Sequence, residues 1–214
     1  MAFLLRVELP DVPGSLGALA SALGGAGADI EAIEIVERRS DGTVLDDVLL
    51  ELPPQLMPDA LITACHQLAG VRVHWISRYN AGANLSMDLE AIEAFTNDPT
   101  RAIAELVEVV PSTFRTDWAM ALHRIDGGAV VMAASPTAPE LVPGATDWLD
   151  IRKAKVLREV PEWESTVLAA SPARDRRGES FVVVVGRHGG PEFLASELAR
   201  LGHMVSLAAS VQPV

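Results

Sequence analysis

The chain has 214 residues, of which 49% are hydrophobic and 21% charged, and its formal net charge is −12. This composition supplies enough apolar side chains for a sizeable core and excludes disorder as the dominant state. Only two lysines occur, and no uninterrupted basic run is longer than a pair. Both facts argue against nucleic-acid binding, because phosphate recognition depends on clustered basic side chains.

A single cysteine, Cys65, excludes intrachain disulfides and cysteine-rich metal sites. No apolar stretch approaches the roughly 20 residues that a bilayer-spanning helix needs. Arg6 and Glu8 interrupt the apolar start before a signal-type core could form. We therefore expect a cytoplasmic protein with no export signal and no membrane association.

Residues 1–79 are predicted to form the order strand, helix, strand, strand, helix, strand. Apolar and polar side chains alternate over residues 3–9, and apolar residues recur every three or four positions over residues 16–26. A hairpin at Asp41-Gly42 joins two further strands, the second of which alternates cleanly except at Asp46. A helix opened by Pro58 and a last strand follow. Two helices on one face of such a βαββαβ sheet give the ferredoxin-like arrangement.

Two motifs frame the first predicted helix: Asp-Val-Pro-Gly-Ser-Leu at residues 11–16 and Gly-Ala-Asp-Ile at residues 27–30. With the βαββαβ order, they resemble an ACT domain over about residues 2–79. The resemblance implies that an amino acid binds at the first loop, often between two ACT units, helped by the strand start at Asp29 and Ile30. It also favours a homodimer, because ACT-type sheets associate edge to edge and so cover an exposed strand.

We assign residues 80–95 to a linker and the start of a connecting helix, since residues 80–84 are small and polar. From residue 96 the predicted order is helix, a hairpin of two strands, a proline-rich loop, two strands and a final helix. That helix begins at Pro191, and Gly202 is a suitable stop. Periodicity leaves open whether residues 204–211 continue the helix or form a strand.

This order, with Gly-Pro-Glu-Phe running into Glu-Leu-Ala-Arg-Leu over residues 190–201, is similar to a GAF domain over residues 96–214. The resemblance implies an antiparallel sheet with flanking helices, so the whole chain is expected to be an α+β protein. GAF domains commonly bind small molecules in a pocket over the sheet. Four residues could line one here or could be plain core: Trp118, Met120, Met132 and Trp148. Redox or chromophore-attaching GAF activities are excluded, because this region has no cysteine.

The loop before the first helix is the best candidate for a ligand site. Its backbone turns at a proline and a glycine, and the helix start presents unpaired amide groups and a positive dipole end. A free carboxylate fits that terminus and the Asp11 carboxylate could hold an ammonium group, which together suit an α-amino acid. A turn and helix cap without a ligand is the alternative. With the strand start, the candidate residues are Asp11, Val12, Pro13, Gly14, Ser15, Leu16, Asp29 and Ile30.

Other chemistry has weaker support. Acidic side chains crowd the first region's strands, at Glu8, Glu31, Glu34, Glu37, Asp46, Asp47 and Glu51. Such carboxylates can hold a divalent cation or transfer protons, but a solvated sheet face is the favoured interpretation. The five histidines show no metal-ligand spacing, and no phosphate-binding glycine motif occurs. We expect no metal, no cofactor and no catalytic residue.

The sequence thus favours a non-enzymatic regulatory protein: an ACT-like amino-acid sensor joined to a GAF-like small-molecule or dimerisation module, acting as a homodimer. With no output module that we recognise, the signal would pass to a partner protein or enzyme. Two alternatives stay open. One is a detached regulatory subunit of an amino-acid biosynthetic enzyme. The other is an enzyme with a site in residues 135–164, where Asp147, Asp150 and Glu159 lie near Arg152 and Lys153.

Overall fold

The computed structural model describes residues 1–78, 83–158, 160–163 and 165–213, without the side chains of residues 83–86. The chain divides into two compact units, an N-terminal unit Met1–Ala83 and a C-terminal unit Asn84–Val214. Residues 79–82, at the junction of the predicted ACT-like region and its linker, lie outside the described residues.

The N-terminal unit has the element order that the sequence predicts. Its elements are β1 Ala2–Pro10, α1 Ser15–Gly25, β2 Asp29–Arg38, β3 Thr43–Glu51, α2 Pro58–His66 and β4 Arg72–Arg78. The strands form one sheet in the order β2-β3-β1-β4, and every neighbouring pair is antiparallel. Since β2 and β1 are both antiparallel to β3, they run in the same direction.

Alternation along the strands explains the core of this unit. Leu5, Val7 and Leu9 of β1 lie on one face and pack with Leu19 and Leu23 of α1 in a single buried cluster. The cluster also contains Val48, Leu50, Leu61 and Cys65. Cys65 is fully buried, and this burial raises the pKa of its thiol to about 11, as expected of a structural cysteine.

The C-terminal unit is built on a second antiparallel sheet with the strand order β6-β5-β9-β8-β7. Its helices and strands are α3 Ala83–Asn97, α4 Ala102–Phe114, β5 Trp118–Ile125, β6 Gly128–Ala134, β7 Lys155–Val156, β8 Thr166–Arg174, β9 Ser180–His188 and α5 Ala195–Val211. Short 3-10 helices lie at Pro99–Arg101, Pro143–Asp150 and Pro161–Trp163. Helix α3, part of the predicted linker, contributes Ala91 and Phe95 to the core of this unit.

Each face of this sheet has its own core. Odd-numbered residues of β5 and β9, such as Ala121 and Val183, pack with α3, α4 and α5. Even-numbered residues, such as Met120 and Val184, pack with the segment of residues 135–164. That segment therefore supplies a structural layer of this unit.

The last helix begins later than the sequence predicts, and residues 204–211, which periodicity left open, continue it. It begins at Ala195 rather than Pro191, because Leu194 is the N-cap residue, with its amide bound to the Glu197 carboxylate, and the Arg187 guanidinium binds the carbonyl oxygen of Pro191 before it. It continues through Gly202 to Val211, since its C-terminal half buries five residues: Leu201, Met204, Val205, Ala208 and Ala209. Among the described residues, no helix has both the length and the apolar character that crossing a bilayer requires.

Candidate functional site

The β1–α1 loop leaves the N-terminus of α1 open. Gly14, the N-cap residue, adopts the left-handed conformation with φ 96° and provides no side-chain cap for the helix. The Ser15 amide donates to the Val12 carbonyl and the Ala18 amide to the Gly14 carbonyl. The intervening first-turn amides point along the helix axis without i−4 acceptors, so they can receive an anionic group.

Asp11 is already engaged by a cation of its own chain. Arg38, the last residue of β2, donates from Nη1 to Asp11 Oδ2 at 2.5 Å. The side chains are 60% and 42% exposed, and an ion pair this exposed contributes little and exchanges readily. The loop therefore offers both a guanidinium and a carboxylate, where the sequence indicated only the carboxylate.

A buried carboxylate completes this site. Asp46 is only 1% exposed, and its Oδ1 atom has no hydrogen-bond partner. It lies on the helix-covered sheet face, opposite Val7 of β1 and Ile35 of β2. Burial raises its pKa, while the nearby Arg38 charge lowers it and Asp11 raises it. The register sets Asp46 opposite Val7, three residues before β1 ends at Pro10 and leads into the loop.

Sequence reasoning identified Asp46 as a break in the alternation of β3 and as one of the crowded strand carboxylates, but not as a residue of the loop site. An acidic residue at an inward-facing position was the available signal, because a carboxylate there must be buried. We name Asp11, Gly14, Arg38 and Asp46 the loop site.

Asp29 and Ile30, predicted to belong to this site, lie elsewhere in the same chain. Asp29 pairs with Glu51, which pairs with Ala2 at the start of β1. The loop follows the other end of β1, about eight residues or ~26 Å away along the strand. The reason is the parallel direction of β1 and β2, which places both strand starts at the same end of the sheet.

The four residues proposed to line a second pocket separate into two groups. Trp118, Met120 and Trp148 lie in one buried cluster. Trp163, which the sequence analysis did not single out, packs edge-on against Trp118 with ring centroids 5.1 Å apart. Met132 is 41% exposed on the outer strand β6, at an irregularity in its pairing with β5. A pocket lined by all four stays a prediction.

The acidic residues on the opposite face of the N-terminal sheet bind cations of the chain itself. Asp47 accepts two hydrogen bonds from Arg6, at 2.7 and 2.8 Å. Glu8 accepts from Arg39 and lies 3.0 Å from His74 Nε2. No group of three or more potential metal ligands occurs within the described parts of the chain.

In the segment of residues 135–164, Asp147 and Lys153 are exposed. Asp150 accepts a hydrogen bond from Arg124 at 2.9 Å. Glu159 lies outside the described residues. Asp150 and Arg152 border a cleft that also includes Arg124.

No profile of a known protein family matches this sequence, and no curated protein does. Among solved structures, the chain is similar to the GAF domain of an Acinetobacter phosphoenolpyruvate-protein phosphotransferase, at 13% identity, with 62% of this chain and 93% of that chain covered and a TM-score of 0.48. It is also similar to the GAF domain of the Coxiella burnetii phosphoenolpyruvate-protein phosphotransferase, at 16% identity, with 62% of this chain and 95% of that chain covered and a TM-score of 0.46. A formyltetrahydrofolate deformylase from Pseudomonas putida KT2440 matches at 12% identity, with 44% of this chain and 38% of that chain covered and a TM-score of 0.31. All three are partial likenesses at low identity, and two of them are GAF domains.

Proposed function

We propose that this protein is a non-enzymatic regulator whose N-terminal unit is an ACT-type domain that binds an α-amino acid at the loop site. The observation that carries the proposal is the buried Asp46 carboxylate, whose Oδ1 atom lacks a donor, together with the uncapped N-terminus of α1. The βαββαβ order and the strand order β2-β3-β1-β4 support the ACT-type assignment.

The charges of the loop site match those of a zwitterion. The ammonium group of an amino acid donates to Asp46, and its carboxylate is bound by the first amides of α1 and by Arg38. Binding thus supplies the donor that a desolvated carboxylate requires. Asp11, which holds Arg38 in the free protein, acts as the switchable partner of that guanidinium rather than as the ammonium acceptor.

Exposed apolar side chains near the loop site favour a ligand with an apolar side chain. Val12 in the loop is 58% exposed, Leu16 in the first turn of α1 is 38% exposed and Ile35 opposite Asp46 is 48% exposed. Removing the surface of large apolar side chains from water lowers the free energy of the complex. A ligand such as leucine, isoleucine, valine or phenylalanine covers part of this surface.

A second copy completes the site through β2, which lies at the edge of the sheet. An antiparallel pairing of two β2 strands, centred between Ile33 and Glu34, sets Asp29 of each copy beside Arg38 of the other. It covers the exposed edge and joins opposite charges. It also brings Asp29 and Ile30 of one copy to the loop of the other, the arrangement that the ACT resemblance implies.

The C-terminal unit, which is similar to GAF domains in fold, is proposed to be a small-molecule or dimerisation module of the same regulator. The amino acid selects among arrangements of the dimer only by its difference in affinity between them. A partner protein, such as a biosynthetic enzyme, then receives the change.

The test is a thermal-shift screen of the full chain against the twenty amino acids, followed by calorimetric titration. A ligand at one hundred times its dissociation constant adds about 2.7 kcal/mol of stability, a clear rise in melting temperature. Asp46→Asn and Gly14→Val should abolish the shift. Asp59→Asn should not, because Asp59 is exposed at the start of α2, near the opposite end of the sheet.

Two results would contradict the proposal. In one, no amino acid shifts the melting temperature at millimolar concentration. In the other, a shift survives both substitutions at the loop site. Sedimentation with and without ligand checks the dimer separately, and a chain that stays monomeric at all concentrations would remove the pairing through β2.

A further inference from the structure

A second site lies at one end of the sheet of the C-terminal unit. A cleft of about 1360 Å³ is bordered by the ends of β5, β8 and β9 and by the segment that follows the 3-10 helix Pro143–Asp150. Three arginines from three distant segments converge on it: Arg124, Arg152 and Arg174. The acidic side chains that line it are Asp150 and Glu179. In a chain of net charge −12, this is an unusual concentration of guanidinium groups.

The strand register places two of these arginines on either side of a small residue. Arg174 of β8 pairs with Ser180 of β9. On the other side, His123 of β5 pairs with Phe181, so Arg124 comes level with Ser180. Adjacent strands are about 4.8 Å apart, which separates the two arginine backbones by roughly 10 Å. The three residues share one face, so Arg124 and Arg174 flank Ser180 across the sheet.

The arginines are not neutralised by strong pairs. Arg124 binds Asp150 at 2.9 Å, but these side chains are 41% and 76% exposed, so an anion can replace Asp150 at little cost. Arg174 donates to the carbonyl oxygen of Gly178 at 3.1 Å and has no ion pair with another described residue. Within the described parts of the chain, the exposed side chain of Arg152 makes no ion pair or hydrogen bond. Like charges held together in a cleft are stabilised by a bound anion, and arginine binds phosphate or carboxylate oxygens bidentately.

We propose that this cleft binds a small anion carrying two or more negative charges, with a phosphate or carboxylate group between Arg124 and Arg174 and a second acidic group at Arg152. The cleft is much larger than a free phosphate ion. Leu149, Ile151 and Pro172 line it as well, so an organic portion of the ligand has apolar contacts. The proposal is independent of the loop site and gives the C-terminal unit a ligand of its own.

The experiment is calorimetric titration of the full chain with three probes: inorganic pyrophosphate, glucose 6-phosphate and citrate. Binding of the first two identifies a phosphate group as the recognised chemistry, and binding of citrate alone identifies carboxylates. Arg174→Gln and Arg152→Gln should each weaken binding about tenfold or more, the value of one charge-assisted hydrogen bond. Arg177→Gln is the matched control, because it removes the same charge from the β8–β9 hairpin outside the cleft and should change the affinity less than about twofold.

Ser180→Asp tests whether lost probe binding could be explained by loss of folding. It sets a carboxylate between the two arginines, so the melting temperature should rise while probe binding disappears. The proposal is overturned if none of the three probes binds at millimolar concentration. It is also overturned if Arg177→Gln weakens binding as much as Arg174→Gln, since the attraction would then belong to the basic hairpin in general.

Discussion

Adjacent aspartates on β3 are expected to change stability in opposite directions when each is replaced by asparagine. Asp46 lies on the helix-covered face with an unpartnered oxygen, whereas Asp47 lies on the other face and is bound twice by Arg6. The side chains of Arg6 and Asp47 are only 5% and 12% exposed. The two substitutions are chemically identical and one residue apart, so each serves as the control of the other.

The magnitudes follow from desolvation. Removing the charge of a buried, unpartnered carboxylate should raise the free energy of unfolding at pH 7 by about 1–3 kcal/mol, so Asp46→Asn is stabilising. Breaking the buried ion pair should lower it by about 3 kcal/mol, so Asp47→Asn is destabilising. Arg38 compensates Asp46 only in part, because burial outweighs its effect on the pKa of Asp46 and its guanidinium is 60% exposed and bound by Asp11.

The gain from Asp46→Asn should also depend on pH. Burial raises the folded-state pKa of Asp46 above 3.8, so the folded protein binds this proton more tightly than the unfolded chain does. The destabilisation by the ionised carboxylate is present above the folded-state pKa and is lost as the pH falls through that pKa towards 3.8. The difference between Asp46→Asn and the original chain should therefore shrink in acid.

Hydrogen exchange in increasing urea, followed on peptides from β1 and β3, measures the stability of the N-terminal unit separately. A loss of stability in Asp46→Asn at pH 7, or a gain that does not change with pH, would refute the reasoning. Either result would mean that Asp46 is stabilised in the free protein, and the loop site would lose its main support.

Three further substitutions or reactions test the packing. Gly186→Ala places a Cβ atom 2.2 Å from Trp118 Cε2, and tryptophan fluorescence during urea unfolding should show a loss of about 1–3 kcal/mol. Arg187→Gln removes the hydrogen bonds of a buried guanidinium to Glu197 and to three backbone carbonyls, and the same assay should show a loss of about 3–5 kcal/mol. Burial raises the pKa of the Cys65 thiol to about 11, so iodoacetamide at pH 8 should label it far more slowly in the folded protein than in urea.

The local sequence pattern was sufficient to predict an element where one face of that element is buried and the other is not. The alternation over residues 3–9 and the leucine stripe of α1 both predicted their elements, because periods of two and 3.6 residues map directly onto one face. Pairing between distant strands has no such signal. Nothing in the sequence indicates that β9 lies between β5 and β8, so the arginine cleft could not be foreseen, although each arginine was visible.

The same limitation explains the position of Asp29 and Ile30, which the resemblance assigned to the loop and the register placed at the other end of the sheet. A motif lists residues that act together without stating that they belong to one copy of the chain. Asp46 is the converse case, since no motif includes it, and its conflict with the alternation of β3 set it apart from the other strand carboxylates. A charged residue at a buried strand position breaks the alternating pattern. Where the protein supplies no partner for that charge, a bound ligand can supply it and so gains the most binding energy. The departure from the pattern, more than the pattern itself, therefore located the part of the N-terminal unit that is proposed to respond to an amino acid.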